Sequence, residues 1–121
     1  MSTSDTDRMI IGVATGVVTL TDLMEFARGI VSAGKLHYRK IVDVSAGTLG
    51  FTPEELVAFG ELVRAARSDK PRGALAIVTG TRRGDLARLF AEQLAGGDRP
   101  AKVFPSIHEA RRWLATNPHG V

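Results

Sequence analysis

Apolar and polar positions alternate between two periods along this chain, and the switches between them mark its elements. Residues 9–18 (MIIGVATGVV), 38–44, 74–79 and 101–104 are short, β-branched or near-continuously apolar runs, which predict strands. Runs with so little alternation fit strands covered on both faces, as in a largely parallel sheet. Between and after them, apolar residues recur at helical spacing: Leu23, Ala27 and Ile30; Leu56, Phe59 and Val63; Leu86, Leu89, Phe90 and Leu94; Ile107, Ala110, Trp113 and Leu114. The order strand, helix, repeated through the chain, predicts one α/β domain with a mostly parallel sheet of four to five strands and about four helices. Gly12 and Gly16 inside the first run mark a bulge or a close backbone approach.

The helix starts are written locally, because the first backbone N–H groups of a helix need acceptors. Thr19 with Asp22, Thr52 with Glu55, and Ser106 with Glu109 each have capping-box spacing. Val18 with Leu23 and Phe51 with Leu56 are spaced as hydrophobic staples, and Pro53 suits a first helical position. Gly34, the Lys70-Pro71-Arg72-Gly73 turn and Gly96-Gly97 are expected to close the first three helices. The domain should span 8–116, with mobile ends at 1–7 and 117–121.

Composition narrows the class. At 121 residues, 44% apolar and 24% charged, the chain suits a single globular core. No run reaches the roughly 18 apolar residues of a membrane span. The polar start MSTSDTDR lacks a signal-peptide core, so a cytoplasmic protein is expected. The absence of cysteine excludes disulfides, thiolate metal sites and cysteine nucleophiles. Net charge is +3, but basic and acidic residues are interleaved, and the basic stretches at 35–40, 82–83 and 111–112 carry no recognition motif. Nucleic acid is therefore not the expected partner.

Two segments offer binding chemistry. Ser45 and Thr48 lie in a glycine-containing stretch expected to be a loop at the carboxyl end of a parallel strand, where open α/β sheets place ligands. Thr81, Arg82 and Arg83 follow another such strand at the start of a helix, where they suit either an anion or simple solvation. His37, His108 and His119 have no metal-ligand spacing. Ser45, His108 and Asp43 make a triad only on paper, without a nucleophile-elbow motif, so no catalytic residue and no enzyme activity are expected. No cofactor or metal is implied.

Gly16-Val17-Val18-Thr19 running into a helix, the Ile41-Val42-Asp43 strand, and Val103-Phe104 followed by Glu109-Ala110-Arg111-Arg112-Trp113-Leu114 together resemble the SpoIIAA-like family. That family is related to the STAS domains of anti-sigma-factor antagonists. The resemblance implies a regulatory domain that docks a protein partner on the edge formed by 45–52 and 79–84. In those antagonists a serine after an aspartate accepts phosphate. Thr52 is the nearest hydroxyl here and no aspartate precedes it, so the usual acceptor motif is absent; Thr52 reads first as a helix cap, with a phospho-switch at Ser45, Thr48 or Thr52 as the weaker alternative. The start of the chain leaves little room for the extra first strand of those antagonists. The family's fold also resembles lipid-carrying domains, which implies the alternative of a carrier or sensor of a small amphipathic ligand or a membrane surface. A homodimer is compatible with either.

Overall fold

The structure is a computed structural model that describes residues 2–6, 8–65, 72–80, 88–89, 92–93 and 101–116. Its elements are β1 (Ser2–Thr6), β2 (Met9–Val18), α1 (Leu20–Ser32), β3 (Arg39–Leu49), α2 (Pro53–Ala65), β4 (Leu75–Val78), β5 (Ala101–Phe104) and α3 (Ile107–Ala115). The five strands form one sheet in the order β1-β2-β3-β4-β5. β2 to β5 are parallel and β1 is antiparallel to β2, so the α/β fold expected from sequence is built on a mixed sheet. Three helices lie among the described residues. Of the helix expected over 86–94, residues 88–89 and 92–93 are helical and the others lie outside the described set, as do Gly96, Gly97 and 117–121.

Two segments depart from expectation. Ser2–Thr6, expected to be mobile, is an edge strand whose Asp5 pairs with Lys35 in the turn after α1. A polar strand is tolerated there because an edge needs hydrogen-bond partners on one side only. The ion pair raises the Lys35 pKa above its ordinary value, chiefly through the Asp5 bond. The stretch Ser45 to Leu49, expected as a loop, continues β3 instead, pairing Ala46–Leu49 with Thr15–Val18 of β2. β4 ends opposite Asp43, so this β2–β3 ribbon runs on beyond β4.

The sheet buries both faces. Val42, Val44, Leu75 and Ile77 meet Leu23 of α1 and Leu56 and Phe59 of α2 on one side. On the other, Ile41, Ala76, Val78 and Phe104 meet Ala110 and Leu114 of α3, with the Trp113 ring 5.5 Å from that of Phe104. The local signals act as written. Thr19 and Asp22 form a complete capping box, Thr52 and Glu55 exchange bonds of 3.1 and 2.9 Å, and Gly34 takes φ +68° behind α1. Ser106 accepts from the Glu109 N–H, but the Glu109 carboxylate meets the Ser106 hydroxyl rather than its backbone N–H, so that box is half made.

At the amino-terminal edge of the parallel strands the chain crosses itself. Gly73 N–H donates to Leu36 O (3.0 Å) and Lys40 N–H to Ala74 O (2.9 Å). A Cβ on Gly73 would overlap the Tyr38 carbonyl and come within 2.6 Å of His37 O. Gly73→Ala should therefore lower the stability of the protein by about 2 kcal/mol or more in urea unfolding, since backbone on both sides must move. The Asp22 carboxyl is held below its ordinary 3.8 by bonds from the Thr19 N–H and hydroxyl. A lowered folded-state pKa stabilises above the unfolded value and is lost as pH falls through the folded one. The stability advantage of wild type over Asp22→Asn should thus be full above about pH 4 and shrink below it.

Candidate functional site

The carboxyl edge of the sheet carries part of the expected site. Ser45 and Thr48 are both exposed on β3. Between Val13 and Thr15 the register shifts, leaving one extra residue on β3, and the Asp43 side chain fills the break. Its Oδ1 accepts from Ser45 N–H (3.0 Å) and from Ser45 Oγ (2.6 Å). Gly80, at φ +68°, brings the chain leaving β4 alongside, where a Cβ would lie 3.2 Å from that of Ser45. Thr81, Arg82 and Arg83 lie outside the described residues. Thr52 is engaged in the cap of α2. His108 is exposed and meets Arg112 (3.1 Å), while Asp43 is bonded to Ser45. Among the described residues no group of three or more His, Asp or Glu is placed to hold a metal ion.

A larger feature lies on the α1–α2 face, toward the opposite edge. A cavity of about 410 Å³ opens between α1, α2 and the sheet, walled by Phe26, Ala27 and Ile30 of α1 and by Phe59, Leu62 and Val63 of α2. Val42, Leu75 and Lys40 form its floor, with Leu36 at the end. Lys40 and Leu75 are direct register partners across β3 and β4, and they point the same way into it. Lys40 is only 3% exposed, and its ammonium donates to Leu36 O (2.6 Å) and Tyr38 O (2.7 Å) in the crossing described above. At the rim, Val31 (44%) and Leu62 (56%) leave large apolar surfaces exposed beside Arg28 and Ser32.

Sequence reasoning placed the candidate binding residues on the carboxyl edge and assigned a binding role to none of the residues that line this cavity. One signal pointed to it: α1 carries apolar residues at Phe26 and Val31, outside the Leu23, Ala27 and Ile30 stripe. A helix with that wide an apolar face has more to cover than one sheet surface.

No family model matches the chain, and no curated protein matches it. Among solved structures it is similar to the NMR structure of the protein TM1081, with 13% identity, a TM-score of 0.56, and coverage of 95% of this chain and 88% of that one. At that identity the likeness shows a shared fold over nearly the whole chain and nothing of activity. No helix among the described residues is long and apolar enough to cross a membrane.

The close approach at Gly80 is testable. Gly80→Ala forces a side chain into the left-handed region beside Ser45 and should cost about 1–2 kcal/mol in urea unfolding. Ser45→Ala removes only an exposed bond and should cost less than about 1 kcal/mol.

Proposed function

We propose that this chain is a non-enzymatic, SpoIIAA-like regulatory domain that carries or senses a small amphipathic ligand in the α1–α2 cavity. The cavity is the observation that carries the reading. It is a cleft open to solvent along its rim, and its volume of about 410 Å³ lies inside the roughly 300–1,000 Å³ range of small-molecule sites. Its lining is mostly aliphatic and aromatic, which suits an apolar guest better than water, because water there finds few polar partners. The apolar rim at Val31 and Leu62 continues that surface outward.

A second reading, docking of a protein partner on the carboxyl edge, is favoured by the β2–β3 ribbon. Val17 (62% exposed) and Thr48 are register partners there, beyond the end of β4. The chemistry of SpoIIAA-like regulators supports that edge by resemblance, with Ser45 and Thr48 as its described residues.

Nile red, a neutral dye that brightens in apolar surroundings, separates the two. It should bind the wild-type protein, and Ala27→Phe should weaken binding by about tenfold or more by filling the cavity. Val63→Phe fills it from the other wall and guards against a variant that fails to fold, which circular dichroism would reveal. Thr48→Glu should leave dye binding unchanged. Absence of dye binding to wild type, or undiminished binding to both folded fillers, would sink the cavity reading; dye loss in Thr48→Glu alone would move the site to the ribbon.

A further inference from the structure

The geometry points to a single-chain amphiphile with an anionic head, of the fatty-carboxylate class, lying with its chain in the cavity and its carboxylate at Arg28. This rests on the cavity being the ligand site and goes further by assigning the charge and orientation of the ligand. Three observations carry it. First, among the described residues that line the cavity two are basic, Arg28 and Lys40, and none is acidic, so the charges these residues carry favour a negative head over a positive one. Second, the two cations sit at different depths. Lys40 is buried and engaged by the Leu36 and Tyr38 carbonyls, while Arg28 is exposed at the rim, with no hydrogen-bond or ion-pair partner among the described residues. A carboxylate at the rim keeps much of its hydration, whereas one driven down to the floor would lose it among apolar side chains. Third, the space between rim and floor is bounded by apolar side chains from both helices, among them Phe26, Ile30 and Phe59, which fits a hydrocarbon chain rather than a polar body.

Arg28 also presents a fork that holds both oxygens of a carboxylate, which an ammonium does not. Because the site is solvent-exposed, the charge preference should be modest and sensitive to salt.

The test is displacement of Nile red from the full-length protein by dodecanoate, dodecanol and dodecylamine, each below its micelle concentration. Dodecanoate should displace the dye at a concentration about fivefold lower than dodecanol, and dodecylamine should be the weakest. In Arg28→Gln the dodecanoate-to-dodecanol ratio should fall to about one; comparing two amphiphiles on the same protein cancels any change in the cavity itself. Affinity should rise roughly fourfold per methylene from octanoate to dodecanoate. Equal displacement by dodecanoate and dodecanol, preference for the amine, or a carboxylate preference that survives Arg28→Gln would each overturn the head assignment while leaving the cavity reading intact. Failure of every amphiphile and of the dye itself would overturn both, as would affinity independent of chain length.

Discussion

The arrangement of this molecule turns on a crossing that admits only hydrogen at one position. Gly73 passes against the backbone of His37 and Tyr38, closely enough that its N–H reaches Leu36 O while no side chain has room. That contact starts β4 beside β3 and sets the pairing Lys40 with Leu75. It also lets Lys40 fold its ammonium back onto two carbonyls of the same segment, at Leu36 and Tyr38. A buried lysine is costly unless its charge is met, and here the carbonyls of Leu36 and Tyr38, just upstream in the same segment, accept from it. The floor of the cavity and the register of the sheet are therefore products of one constraint.

The two faces of the sheet are filled differently. α3 lies on its face with Ala110 and Leu114 fully buried and Trp113 against Phe104. On the other face, α1 and α2 cover the sheet together, and Leu23, Leu56 and Phe59 seal the part nearer the helix starts. Toward their ends, Val31 and Leu62 do not close over Lys40 and Leu75, and the space between becomes the cavity. The carboxyl edge, where open sheets of this kind commonly place ligands, is instead extended by the β2–β3 ribbon and occupied at Ser45 by Asp43.

What was legible in the sequence was local. The caps at Thr19 and Thr52, the turn at Gly34 and the apolar strand runs depend on neighbours a few residues away, and each appears where the spacing put it. What was not legible depends on distant partners. STSDT has no apolar period, yet β2 offers it an edge and Lys35 a charge. Ser45-Ala46-Gly47-Thr48 has turn composition, but pairing with β2 draws it into a strand, and buried Gly47 suits the place because a Cβ there would crowd Val18 at 3.1 Å and Gly16 O at 3.2 Å. The cavity is a relation between two helix faces and a floor, and only the wide apolar face of α1, at Phe26 and Val31, announced it in one dimension.

The cavity also sits where helix electrostatics would otherwise work against an anion. α1 and α2 both direct their carboxyl ends, with negative partial charge, toward the edge where Leu36, Lys40 and Leu75 lie. Two buried cations offset that concentration of carbonyls: Lys40 takes Leu36 O and Tyr38 O, and Arg72, 7% exposed, donates to Arg64 O at the end of α2 (3.1 Å). With the carbonyl-rich end so met, the charge of Arg28 one turn before the end of α1 faces the rim without an acidic neighbour among the described lining residues. The same buried cations that satisfy the backbone of the crossing thus keep the cavity from being an electronegative pit, and its apolar walls become compatible with a negatively charged guest.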